Sequence, residues 1–269
     1  MNTQWSLWHI PLLGSVILLV TAAVYIYLVH RENPSSRWTI VMAGVVAAWI
    51  AAYALELSST QMPTIYLWRK VQFLSISALP MVWFFYVLTT LGYQKWLTSA
   101  RYILLSAIPI SGILLAMTNE LHHLIWRTFT LTHFQQMTVV AYRLGVAGWI
   151  DFTYLFLIAF VAGEMLIAAA MRKHPFLSLQ ILQLVLGFTL VLIMSGLEVV
   201  TQSLSLATIN PVVLTLSWIG PVVVYSMHRL QLNKVIPFAR EDIIEAMSDG
   251  IIVLDSRNGI IDVNPAVGR

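Results

Sequence analysis

Glu56, Arg69, Lys70, Asp151 and Glu198 are ionisable residues set at the ends of long apolar stretches. In a hydrocarbon setting such residues face a bundle interior, pair with one another or mark a site, because an isolated charge there is costly. Arg69 and Lys70 suit an anionic group of a ligand; Glu56, Asp151 and Glu198 suit a cationic one. Tyr53, Gln72 and Tyr154 fall about one helical turn from these charges and are placed to add hydrogen bonds. A polar ligand pocket is one expectation. The competing one is structural, with Glu56 and Arg69 as an ion pair and the others reaching toward lipid headgroups.

A second group, Asn119, His122, His123, Trp126 and His133, lies in one connection. Imidazoles are common metal ligands, but no second ligand stands at the helical i+4 spacing of a zinc motif. No metal is expected. The expected role is structural: Asn119 caps a helix end, and His122 or Trp126 bonds loop backbone to seal a mouth.

The elements that position these residues follow from composition. Of 269 residues, 59% are hydrophobic and 10% charged, with a mean hydropathy of +0.80; a soluble domain is nearer half apolar and a quarter charged. The chain is therefore an integral membrane protein. It has no cysteine, which excludes disulfides, thiolate metal sites and cysteine nucleophiles. A net charge of +3 is too small to argue for nucleic acid. Met1 to His9 has no basic segment, so no cleavable signal peptide is expected. The last apolar stretch holds no lysine for a retinal Schiff base, the histidines sit at span ends or in loops, and no glycine-rich phosphate loop appears. No cofactor is expected.

A membrane span needs about twenty mostly apolar residues. Seven stretches qualify: approximately Ile10 to Val29, Trp38 to Leu57, Leu67 to Leu91, Ser99 to Met117, Gly148 to Met171, Leu177 to Val200 and Pro211 to Met227. Helices are the expected form, since lipid offers backbone groups no partner. Basic residues concentrate in alternate connections: Arg31 and Arg37, then Lys95 and Arg101, then Arg172 and Lys173, then Arg229, Lys234 and Arg240. By the positive-inside rule these connections and the tail are cytoplasmic and the N-terminus is outside. The long connection from Thr118 to Ala147 is then outside. Its run from Trp126 to Phe134, followed by Met137 to Arg143, is rich in β-branched and aromatic residues and predicts a β-hairpin over the outer mouth. Glu164 falls toward the inner half of span five, where snorkelling or a helix–helix hydrogen bond is expected.

After the seventh span the chain changes character. Ile243, Ile244 and Met247 predict a helix, Ile251 to Leu254 and Ile260 to Val263 predict strands, Asn258-Gly259 predicts a tight turn between them, and Asn264-Pro265 predicts a capped helix start. Pro237 is the expected break between membrane region and tail.

Asp249-Gly250-Ile251-Ile252-Val253-Leu254-Asp255 with Asp262-Val263-Asn264-Pro265-Ala266 resembles the opening of a PAS sensor domain. A small domain needs on the order of a hundred residues to close its core, so the chain is expected to end inside it. Thr118-Asn119-Glu120-Leu121-His122-His123-Leu124-Ile125-Trp126 after span four, Arg69-Lys70-Val-Gln-Phe-Leu with Pro80 and Trp83, and Ala239-Arg240-Glu241-Asp242-Ile243-Ile244 together resemble the N-terminal seven-transmembrane region of bacterial histidine kinases.

The resemblance implies a helical membrane bundle in residues 1–236, with an outer hairpin, and a linker plus incomplete α/β PAS start in 237–269. It implies a sensory input region in the inner (plasma) membrane, acting as a homodimer on a small ligand that the sequence does not name. Response-regulator signalling would run through a kinase module absent from this chain, or a diguanylate cyclase would take its place; no catalytic motif is present here. A small transporter or channel, or a regulatory membrane subunit, is the alternative; transport is disfavoured because the span interiors carry almost no charge and helices two to four show no paired break.

Overall fold

The computed structural model describes residues 4–30, 34–134, 137–172, 178–204, 208–234, 249–250, 252–254, 260–263 and 265–268. Its helices are α1 (His9–His30), α2 (Pro34–Ser58), α3 (Met62–Thr90), α4 (Ser99–Met117), the single turn α5 (Asn119–His122), α6 (Val146–Arg172), α7 (Ser178–Ser203) and α8 (Pro211–Lys234). All but α5 are long and apolar enough to cross a membrane, and each overlaps one of the spans read from the sequence. Among the helix starts the largest difference is at α3, which begins at Met62 with a proline in its first turn. The added residues, Met62 to Tyr66, precede Arg69 and Lys70, which the span read from the sequence already contained.

These helices are apolar around most of their circumference, so lipid-facing residues such as Ile103 and Leu114 on α4, Leu157 on α6 and Ile193 on α7 remain exposed. The core gathers on α3. Its second half, from Met81 to Thr90, is buried along nearly its whole length. There Trp83 stacks on Phe188 of α7 with ring centroids 4.4 Å apart, and Tyr86 donates a hydrogen bond to the Met227 carbonyl of α8 at 3.2 Å. Helix α2 packs along both α1 and α3, and α6 packs against α3, α4 and α7.

Strands β1 (Trp126–Phe134) and β2 (Met137–Leu144) form the expected antiparallel hairpin. Its pairing runs from Phe134 opposite Met137 to Trp126 opposite Leu144, with an irregularity between Trp126 and Thr128. β2 is the buried strand: Met137, Val139, Val140 and Ala141 are covered, and it touches α2, α6 and α7. Gln4 locks it to the end of α2. The Gln4 amide donates to the Leu57 carbonyl at 2.7 Å and the Thr138 carbonyl at 2.9 Å, and accepts from Thr138 N at 2.9 Å. The N-terminus, the α2–α3 connection and the hairpin thus share one end of the bundle.

The strands turn into α6 through Gly145 and Gly148. Gly145 N donates to the Ile125 carbonyl at 2.8 Å and Gly148 N to the Leu124 carbonyl at 3.2 Å. A side-chain carbon at either glycine would overlap these carbonyls, so the close approach requires glycine.

The chain divides into two compact units, Met1–His228 and Arg229–Arg269. In the second, β3 (Ile252–Leu254) pairs antiparallel with β4 (Ile260–Val263), Ile252 opposite Val263, and a short 3-10 turn follows at Pro265–Gly268. The expected helix through Ile243, Ile244 and Met247, the Asn258-Gly259 turn, the Asn264 cap and the Pro237 break lie outside the described residues.

Candidate functional site

Glu56 closes α2 and Arg69 lies in the second turn of α3, and the short connection between the helices brings them face to face. Both are buried. Arg69 Nη2 donates to Glu56 Oε1 at 2.7 Å, and Gln72 Nε2, three residues along the same face, donates to Glu56 Oε2 at 2.5 Å. The guanidinium also lies over the Tyr142 ring of β2, 5.1 Å from its centroid, in cation–π geometry.

Tyr142 carries the network to the next helices. Its hydroxyl donates to Glu198 Oε1 of α7 at 3.3 Å, and its backbone N donates to Gln202 Oε1 at 2.9 Å. Glu198 Oε1 takes two further donors, Gln202 Nε2 at 3.2 Å and Asn210 Nδ2 at 3.3 Å. Asn210 N in turn donates to the Tyr53 hydroxyl of α2 at 2.8 Å. Burial, with the Glu198 carboxylate beside it, pushes the Tyr142 phenol above its ordinary range, so it acts as a neutral donor. Helices α2, α3, α7 and α8 are joined through one strand of the hairpin.

Asp151, in the second turn of α6, is buried against Gly112 of α4. A side-chain carbon at Gly112 would come within 2.6 Å of Asp151 Oδ1, so the carboxylate occupies space that only glycine leaves. Asp151 Oδ1, Glu198 Oε2 and Arg69 Nε are buried without a hydrogen-bond partner.

Two cavities flank the cluster. The smaller, about 10 Å³, lies among Tyr53, Glu56, Arg69, Glu198 and Asn210 under Val139 and has room for about one water. The larger, about 100 Å³, is bounded by Arg69, Asp151 and Glu198 on its polar side and by Trp49, Phe73 and Trp126 among its apolar walls. Three carboxylates face one guanidinium across the two.

Residues 11–237 match the family described as the N-terminal 7TM region of histidine kinase. The chain belongs to that family. Residues 241–269 match a PAS domain, and no curated protein matches the chain. The histidine kinase 7TM region is thus a multi-pass membrane sensory input region followed by PAS sequence, and two-component signalling follows from the family.

Within this 7TM region, Tyr53, Glu56, Arg69, Gln72 and Glu198 come together as one cluster, and Asp151 lines the larger cavity beside it. Two residues expected with them go elsewhere. Lys70 is the chain neighbour of Arg69 but sits about 100° around the helix. Its Nζ donates to Glu120 Oε1 at 2.6 Å and the Met117 carbonyl at 2.8 Å. Tyr154 donates to the Leu105 carbonyl of α4 at 2.7 Å. Neither lines a cavity of the cluster. Glu164 is exposed. The expectation that Glu198 and Asp151 reach headgroups is replaced by burial inside the bundle.

Gln4, Tyr142, Gln202 and Asn210 were not singled out from the sequence. Two carried a signal. Gln202 stands at i+4 from Glu198, and Asn210-Pro211 is a helix start with proline at the first position.

The loop motif of the 7TM region is a backbone clamp. Asn119 does not cap a helix; it ties the chain leaving α5 to β1. Its Oδ1 accepts from Ile125 N at 2.9 Å and Trp126 N at 3.1 Å, and its Nδ2 donates to the Trp126 carbonyl and the Tyr66 hydroxyl, both at 3.0 Å. His122 does bond loop backbone, accepting from Leu124 N at 3.1 Å, while its Nε2 meets Thr118 Oγ1 at 3.1 Å. Trp126 is packed edge-on against Tyr66 and Phe73. His123 takes a left-handed conformation, φ 55°, and His133 is exposed on β1.

Proposed function

We propose that the hairpin end of the bundle faces outside and receives a ligand at the charge cluster, and that α8 carries the resulting shift into the PAS segment. The carrying observation is Asn210, which bonds Glu198 of the cluster and, through Oδ1, accepts from Val212 N and Val213 N in the first turn of α8. A ligand that changes the hydrogen bonding of Glu198 acts directly on the start of the span that leads to the PAS sequence. Such a switch needs different ligand affinity for two packings of the bundle.

The orientation rests on the basic residues of the alternate connections. The region divides functionally near residues 236 and 237, works as a homodimer in the inner membrane, and passes its signal through a kinase module to a response regulator. Among the described residues of the spans, the buried Asp, Glu and Arg side chains, Glu56, Arg69, Asp151 and Glu198, all belong to this one site, which favours sensing over a conduction path.

The test is a signalling output, read from the full-length sensor with Glu56→Gln, Arg69→Gln or Glu198→Gln, at matched membrane levels. Altered basal output or a lost response is expected. Three folded variants with unchanged signalling would dismiss the cluster as an input site. Orientation has its own check, since the chain has no cysteine. A cysteine at His133 is expected to react with an impermeant maleimide from outside, and one at Lys95 only after the membrane is opened. The reverse pattern would invert the topology.

A further inference from the structure

The larger cavity presents two kinds of surface. Trp49, Phe73, Trp126 and Phe152 supply aromatic walls, and Asp151 and Glu198 supply carboxylates. These two acids are only 3% and 4% exposed. Glu198 Oε1 takes the donors from Tyr142, Gln202 and Asn210, while Glu198 Oε2 and Asp151 Oδ1 take none. A buried acceptor without a donor is a standing cost to the fold, and a ligand that supplies the donor removes it.

The sign of the ligand follows from the charges. Arg69 is the cation lining the cavity, and it is committed to Glu56 at 2.7 Å. The remaining carboxylates have no counter-charge in the lining. An anion would add to the excess, and a zwitterion, although its carboxylate could take the unpartnered Arg69 Nε, brings no net positive charge to reduce it. A cation reduces the excess, and its charge is also favoured over aromatic faces. A bare metal ion leaves those walls unused. The volume, about 100 Å³, admits a body of roughly seven to ten water-sized groups at the ~10–15 Å³ that one water needs on this measure, so a short alkylammonium fits.

We propose that this cavity, taken above as the input site, binds a small organic monocation: a protonated amine that donates to Glu198 and Asp151 and lays a short apolar body against the aromatic wall. The inference rests on the functional reading only for its signalling consequence; binding itself is a separate property of the chain.

The experiment uses the whole chain in lipid nanodiscs with n-propylammonium chloride as probe. 1-Propanol, sodium propionate, alanine and sodium chloride serve as neutral, anionic, zwitterionic and salt comparisons. A saturable rise in thermal midpoint, with a change in tryptophan fluorescence, is expected for n-propylammonium alone. Glu198→Gln and Asp151→Asn are each expected to weaken it about tenfold or more, the loss of a charge-assisted hydrogen bond. Glu120→Gln, which removes the partner of Lys70 away from the cavity, is expected to leave it intact.

Equal effects of propanol, propionate, alanine or salt overturn the proposal, as does unchanged n-propylammonium binding in Glu198→Gln. Should Glu198→Gln fail to fold, Asp151→Asn and the cavity-filling Ser195→Leu carry the same two outcomes. Binding as expected, with n-propylammonium leaving the output of the full-length sensor unmoved, keeps the cation site and removes its role as the input. Altered signalling in Glu198→Gln without any n-propylammonium binding does the opposite.

Discussion

Asn210 joins the buried acid of α7 to the first turn of α8: its Nδ2 donates to Glu198 Oε1 at 3.3 Å, and its Oδ1 accepts from Val212 N at 2.9 Å and Val213 N at 3.1 Å. The two halves of this amide separate by substitution. Asn210→Asp keeps the helix cap but exchanges a donor for a carboxylate facing Glu198. It is expected to change signalling output while α8 stays formed. Asn210→Ala loses both halves and is expected to cost an additional ~1 kcal/mol from the cap, seen as a lower thermal midpoint. If Asn210→Asp signals like the parent, the route from Glu198 to α8 is not used.

The Glu56–Arg69 pair is buried on both sides, at 5% and 4% exposure, so removing one partner leaves an uncompensated charge. Glu56→Leu or Arg69→Met alone is expected to destabilise the bundle by about 3 kcal/mol, and the double variant by clearly less than the sum, because the stranded charge is gone. Thermal unfolding of the four proteins in detergent gives the coupling. Additive losses would mean that the pair is not isolated from water as the geometry implies.

Asn119 makes four hydrogen bonds at the α5–β1 junction, and Asn119→Ala leaves the buried Ile125 and Trp126 amides without acceptors. A loss of about 2–4 kcal/mol is expected from two such groups, with faster amide exchange at Ile125 and Trp126. Asn119→Asp keeps the acceptors and is expected to recover part of the protection. Unchanged exchange in the alanine variant would show that the hairpin is held by packing alone.

Lys70 and Glu120 form the contrasting, more exposed pair, with Glu120 54% exposed along its side chain. Partial burial raises the Glu120 carboxyl, but the hydrogen bond and charge of Lys70 outweigh it and leave the group below its ordinary value of 4.5. Its folded form therefore binds protons less readily than its unfolded form. The contribution is fully present above pH 4.5 and fades as pH falls through the lower folded value. Glu120→Gln is expected to cost under about 1 kcal/mol near neutral pH and to flatten this acid dependence. A larger neutral-pH loss, shrinking with added salt, would show that the pair is better shielded than its exposure implies.

The spans and the hairpin were legible in the sequence because their signals are local. A run of about twenty apolar residues has only one backbone solution in lipid, and the partly alternating β-branched and aromatic residues from Trp126 to Phe134 and from Met137 to Arg143 read as paired strands. The ionisable residues also stood out, since a charge beside such a run is conspicuous.

The sequence by itself thus determined that seven helices span, where the hairpin lies, and that Glu56, Arg69, Asp151 and Glu198 crowd toward one end. The tertiary structure alone decided which of them meet. Arg69 and Lys70 are adjacent in the chain, yet helix rotation sends one to Glu56 and the other to Glu120. Tyr142, Gln202 and Asn210 became partners of Glu198 because packing of the hairpin and of α7 against α8 placed their amide and hydroxyl donors around one carboxylate oxygen. Uncharged polar residues near span ends are unremarkable in a sequence. Their role arises from the angles at which helices are set, and those angles are fixed by contacts between residues far apart in the chain.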